Sequence, residues 1–404
     1  MMATRRAVMM LGAAALSAGV GPGGAAGAGG AGGGGGTGDT RAGEHRAPSG
    51  AGSGPLIVNA LGGIEDPNVA LTRPGNDNPL AVEAPDVTPR ALRDALASGV
   101  SAVNVTLGYV GGPGDPFELT VRGIALWDEV VRAHPQQLQK VLTAADIRAA
   151  RRAGRVGVIF GFQNAAMMGS DASRVDVFAA LGVRVIQLTY NPANQLGDGS
   201  MAPENRGLTP FGHAVVERLN ARRVMVDLSH SGEHTCLDAV RASSAPVSIN
   251  HTGCRALADL PRNKTDEELR LVAERGGFVG IYFMPFLRVD GAPHAEDVVA
   301  HIEHALQVCG EDHVGIGTDG TVTAIDDLAA YRSRNEKEVA QRRESGVGAT
   351  GERADIYPFV VDLRGPGQFR ELARRLAARG HSASRIDKIL GGNFVRFATD
   401  VWGG

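Results

Sequence analysis

VMVDLSH, residues 224–230, and PVSINH, residues 246–251, are short apolar runs that each finish on a histidine. Their Val, Ile and Leu content marks strands buried on both faces, and such strands belong to parallel sheets covered by helices. Burial alone gives such a strand no reason to end on an imidazole. A (β/α)8 barrel does, because the C-terminal ends of its strands build the active site.

Working outward from these two, LIVNALGG (56–63), VSAVNVTL (100–107), RVGVIFGFQN (155–164), VRVIQLTYN (183–191), GGFVGIYF (276–283) and HVGIGTDG (313–320) read the same way. Extended to RRVMVDLSH (222–230) and APVSINHTG (245–253), the two histidine runs complete a set of eight candidate strands. Amphipathic stretches of helical character lie between them, among them SRVDVFAALG, PFGHAVVERLNAR and DEELRLVAERG. Eight alternating units over residues 55–404 predict an α/β fold of the (β/α)8 TIM-barrel type. A doubly wound open sheet is the alternative, and no GxGxxG follows the first strand to support it. The barrel reading places Asn59, Gln163, Tyr190, Asn191, His230, His251 and Asp319 at strand ends, inside one site. Histidines on adjacent strand ends can converge on one ion, and neutral imidazole is a preferred zinc ligand.

With 404 residues, 43% of them hydrophobic, the chain can bury a large core. A net charge of −3 leaves no basic face for a polyanion, so nucleic acid is not an expected partner. Cys236, Cys254 and Cys309 follow no ligand or disulfide spacing and are expected to be buried free thiols. Residues 1–30 carry Arg5 and Arg6 ahead of a short apolar run and small residues, the build of a twin-arginine export signal. Residues 31–54 are nearly all Gly and Ala with a few charges and read as a linker. No other segment is long and apolar enough to cross a bilayer, so the expected mature protein is an extracellular, periplasmic or cell-envelope one without a transmembrane anchor.

DLSH, PVSINH with Arg262 and Asn263 beyond it, VGIGTD, GVRVIQLTYNPANQLGDG, GLTPFG and KILGGNFVR together resemble the membrane dipeptidase family, peptidase family M19. The likeness covers nearly all of residues 55–403. It implies a metal-dependent amidohydrolase barrel, a binuclear zinc centre and hydrolysis of dipeptides. By that resemblance His230 and His251 bind one zinc ion, Arg262 holds the substrate carboxylate and Asp319 handles protons. Other family positions are changed in this chain. Leu61 and Gly63 stand where the family's first strand supplies a His-x-Asp pair for the other ion, Gln163 replaces the bridging Glu, and Tyr190 replaces a substrate-contacting His. An amide is a weaker ligand than a carboxylate and cannot bridge two ions as a charged group does.

The expected site is therefore mononuclear, with one zinc ion rather than two on His230 and His251. Gln163 or Asp319 would be the third ligand, Asp319 and Tyr190 the catalytic groups, and Arg262 and Asn191 the contacts to a dipeptide or similar small amide. Glu65 and Asp66 are loop carboxylates that reach back only if they replace the lost ligands. Asp227 is expected to orient His230 or a neighbouring strand, His301 and His304 to lie on a helix outside the barrel, and residues 332–346 to be a solvated helix or loop beside the barrel mouth. A homodimer is allowed. The competing functions are a different small-molecule reaction on the same barrel and a catalytically silent relative that binds a carboxylate through Arg262.

Overall fold

The computed structural model describes residues 54–72, 82 and 84–403; the segment expected to be an export signal, and nearly all of the expected linker, lie outside them. Nine parallel strands follow in chain order: β1 Val58–Asn59, β2 Ala102–Thr106, β3 Leu138–Lys140, β4 Val156–Phe162, β5 Val183–Gln187, β6 Met225–Asp227, β7 Ser248–Thr252, β8 Phe278–Ile281 and β9 Val314–Ile316. Eight of them run side by side in the order β1-β2-β4-β5-β6-β7-β8-β9. The ends of that row meet where the Ala60 N–H donates to the Ile316 carbonyl at 3.0 Å and the Asp319 N–H to Leu61 at 2.9 Å. All eight expected strands are present, in a barrel. The extra strand β3 pairs with the start of β4; its sequence LQK carries no apolar alternation, so nothing in the pattern announced it.

Burial on both faces explains the strand composition. All seven residues of β4, VGVIFGF, are buried, and Gly161 is needed because a Cβ there would stand 2.1 Å from Asn104 Oδ1. The helices between strands start on local signals: Thr265 and Glu268 form a capping box before Asp266–Glu274, as Thr143 and Asp146 do before Ala144–Arg152. One core cluster lies between the strands and these helices. A second joins Ala102, Ile159, Val185 and Met225 to Phe394, Phe397 and Trp402 of the C-terminal helix Asn393–Trp402. Arg396 of that helix bonds the carbonyls of Gly276, Gly277 and Asp312, which precede β8 and β9, so the helix closes the N-terminal end of the barrel. KILGG belongs to this closure: Gly391 passes so near β1 that a Cβ would meet the Leu56 carbonyl at 2.5 Å. The opposite end stays open for chemistry. Among the described residues no helix is long and apolar enough to cross a membrane.

Candidate active site

The ends of β6 and β7 are locked together before their histidines are placed. Asp227 accepts from the Ser229 N–H at 3.1 Å, the Ser229 hydroxyl at 2.5 Å and the Asn250 N–H at 3.1 Å, and Ser229 Oγ accepts from the His251 N–H at 3.1 Å. Asp227 thus positions both histidines through the backbone; of the two roles expected from sequence it takes the one on the neighbouring strand β7 and does not touch the His230 ring. Asn191 holds the ring instead. Its Oδ1 lies 2.7 Å from His230 Nδ1 and its amide donates to the Val347 carbonyl at 2.8 Å. An amide oxygen can only accept, so Nδ1 carries the proton and the His230 Nε2 presents a lone pair.

That lone pair faces His251, with the two Nε2 atoms 2.9 Å apart. Tyr190 stacks on the other face of His230, ring centroids 4.2 Å apart and 23° from parallel. Both imidazoles titrate well below the usual histidine range, first because burial penalises the charged form and next because the Arg262 guanidinium is near. They are neutral at physiological pH, the state in which imidazole binds a metal. His251 Nδ1 is buried without a hydrogen-bond partner.

A cavity of about 450 Å³ opens over this pair, lined by Gln163, Tyr190, Asn191, His230, Arg262 and Asp319, within the size range of small-molecule sites. His251 lies behind His230. Arg262 is 2% exposed, donates one N–H to the Ser229 carbonyl at 2.7 Å and forms part of the cavity wall. Asp319, on left-handed backbone at φ 54°, has its carboxyl pushed up to about 6 by burial, against the opposing pull of Arg262 and Arg342. Of the seven strand-end residues, Gln163, Tyr190, Asn191, His230 and Asp319 reach the wall and buried His251 contacts His230; Asn59 does not line the cavity, because its side chain is spent on Thr318, to whose hydroxyl it donates at 2.8 Å and from whose N–H it accepts at 2.8 Å.

The other side of the barrel mouth is built differently. Leu61 is buried, and Gly63 is joined to β9 by its N–H bond to the Gly320 carbonyl at 3.0 Å. Glu65 folds back over Gly63, where a Cβ would stand 2.1 Å from Glu65 Oε2. Burial pushes the Glu65 carboxyl up to about 6. Asp66 is used up by the Asn68 backbone and side chain and the Thr88 hydroxyl. Neither carboxylate lines the cavity over the histidines. Gln163 donates its amide to Thr106 Oγ1 at 2.7 Å. Among the described residues no three His, Cys, Asp or Glu side chains form a metal-binding group.

Residues 87–333 match the membrane dipeptidase family, peptidase family M19. This chain belongs to that family. It is 30% identical to an amidohydrolase from Pseudomonas aeruginosa of known structure, covering 87% of this chain and 97% of that one with a TM-score of 0.71. Among curated proteins it is 27% identical to an uncharacterized protein in the pqqA 5' region of Klebsiella pneumoniae, over 72% of this chain and 98% of that protein. It is 28% identical to the dipeptidase tcpJ of Claviceps purpurea, over 70% of this chain and 60% of the fungal protein. The family is one of metal-dependent hydrolases. Here the paired, neutral imidazoles are donors suited to a metal ion, while the side chains at positions 61 and 63 offer no ligand atom and that at position 163 no carboxylate.

Arg342 was not found from sequence. All but the last two residues of the run 332–346 lie in a helix, Leu328–Glu344, and one face of it is the cavity wall, where Tyr331, Asn335, Val339 and Arg342 point inward at helical spacing. Arg342 donates to the Tyr190 hydroxyl at 3.1 Å and to Glu352 at 2.7 Å. The sparse apolar residues Tyr331 and Val339 were the available signal for this face. His301 is buried on Ala295–Cys309, bonded to the Cys254 N–H and the Leu287 carbonyl, and His304 pairs with Asp266, so both are structural. All three cysteines are free and buried.

Proposed function

We propose that the protein hydrolyses a dipeptide or similar small amide that carries a free carboxylate. The observation that carries this reading is the convergence of the neutral His230–His251 pair, Arg262 and Asp319 on one strand-end cavity. Arg262 receives the substrate carboxylate, for which a planar guanidinium offers paired N–H donors. Asp319, whose carboxyl changes charge near pH 6, takes a proton from the attacking water and returns it to the leaving amine. The Tyr190 hydroxyl accepts from Arg342, leaving its own proton to donate to a substrate oxygen. Asn191 serves through His230, fixing the tautomer. One zinc ion, held by His230 and His251, would supply Lewis-acid polarisation at this site. Export through Arg5 and Arg6 belongs to the same proposal and places the reaction outside the cytoplasm.

A carboxylate-binding protein without turnover is the second reading, favoured by the lack of a three-ligand group among the described residues. The experiment that separates them is a panel of dipeptides and N-acyl amino acids assayed with zinc supplied. Cleavage that requires a free carboxylate and is lost in His251→Ala supports the hydrolase; Arg262-dependent binding without any cleavage supports the binder.

A further inference from the structure

The cavity over the histidines continues well past the catalytic groups, along a wall that the family match leaves out. That match ends at residue 333, while the lining goes on through Arg342, Ala349, Glu352, Pro358 and Phe359. The charges along this wall cancel in a particular way. Glu352 is held by Arg342 at 2.7 Å and Glu338 by Arg334 at 2.5 Å. Arg262 and Arg364, by contrast, bond only backbone carbonyls, those of Ser229 and of Val361 and Ile325. Asp319 is thus the one cavity carboxylate among the described residues that no arginine holds in a direct ion pair, Arg262 and Arg342 acting on it only from a distance. Positions 61, 63 and 163, on the far side of the barrel mouth, bring no negative charge.

A free dipeptide carries its ammonium next but one to the scissile carbonyl carbon. In this cavity that ammonium would have only Asp319 to face, the group needed for proton transfer, and would lie among guanidiniums. A plain acyl group has no ammonium at that position and needs no such partner. The far wall suits what an acyl group brings: Phe359 stacks with Tyr357 at 5.2 Å and 17°, Tyr331 meets Phe359 edge-on at 5.5 Å, and Tyr331, Phe359 and Pro358 keep partly exposed faces on the cavity. Aromatic faces left open to a cavity are a surface for an apolar or planar ligand group.

Resting on the hydrolase reading, we propose that the substrate class is N-acyl amino acids with an aromatic or bulky apolar acyl group, in preference to free dipeptides. Arg262 binds the amino-acid carboxylate and the wall of Tyr331 and Phe359 seats the acyl group. In the reaction, water oxygen bonds to the acyl carbon and the C–N bond breaks. One water proton goes to the departing nitrogen, giving a carboxylic acid and a free amino acid.

The test uses N-phenylacetyl-alanine, N-acetyl-alanine and phenylalanyl-alanine, which share the C-terminal residue. Calorimetric binding and kcat/KM are both measured on zinc-supplied protein. The expected result is at least ten-fold tighter binding of the phenylacetyl compound than of the dipeptide. In Phe359→Ala and Tyr331→Ala, the phenylacetyl-to-acetyl ratio should fall at least five-fold. Binding in this order with no turnover of any compound would sink the hydrolase reading and leave the selectivity standing. Equal or tighter binding of the dipeptide, or a phenylacetyl-to-acetyl ratio unmoved by both variants, would overturn the proposal whether or not cleavage occurs.

Discussion

The two halves of the barrel mouth do the same structural job with opposite chemistry. At β6 and β7 the strand ends carry His230 and His251, set by an Asp227–Ser229 clasp and by Asn191. At β1 and β4 the corresponding ends carry Leu61, Gly63 and Gln163, and the join is made by backbone bonds such as Gly62 N–H to Asn104 and Gly63 N–H to Gly320, each 3.0 Å. The barrel closes equally well on both sides. Ring closure is backbone chemistry, whereas metal binding is side-chain chemistry at positions the ladder does not use. The strand ends at β1 and β4 can therefore lack metal-binding side chains while the barrel still closes, and on the proposed reading chemistry is expected where the imidazoles stand.

The largest effect should come from the intact half. His251→Ala should take kcat to background and remove bound metal together, a loss of more than about a thousand-fold; activity surviving this change would place the chemistry elsewhere. Asp319→Asn should lower kcat by about 10² to 10⁴ while substrate still binds. Its pH profile sharpens the point: a carboxyl raised to about 6 is neutral below that pH. Wild-type kcat/KM should therefore rise through pH 6, and the Asn variant should lose this limb. Arg262→Ala should act mainly on KM, costing about 2–4 kcal/mol in kcat/KM for a charge-assisted paired contact. An unchanged KM for carboxylate substrates would remove Arg262 from the binding site.

The emptied half gives the smallest effect, and on stability instead of turnover. Burial raises the Glu65 carboxyl to about 6, so the folded state disfavours its charge. The penalty is absent below the unfolded-state value near 4.5 and grows as pH rises to about 6. Glu65→Gln should stabilise the protein by about 1 kcal/mol at pH 8, read from thermal unfolding, with no gain at pH 4. A gain at both pH values would assign the effect to packing.

Much of this was legible in the sequence for a physical reason. Strands buried on both faces must be continuous apolar runs, so eight of the nine declared themselves, and strand-end polar residues followed from the barrel. LQK in β3 was silent because edge pairing with β4 needs no apolar pattern. Arg342 hid in a charged helix, where composition says solvent and only the positions of Tyr331 and Val339 say cavity. That Asn191 holds the His230 ring was not foreseen, and Asp227 left two roles open, since which atom holds an imidazole is a matter of loop geometry that spacing does not encode.

The asymmetry between the two halves is tested most directly by counting metal. Protein purified without chelator and reconstituted with zinc should carry one ion per chain by elemental analysis, and none in His251→Ala. Two ions per chain in the wild type, or an ion retained after His251→Ala, would contradict it.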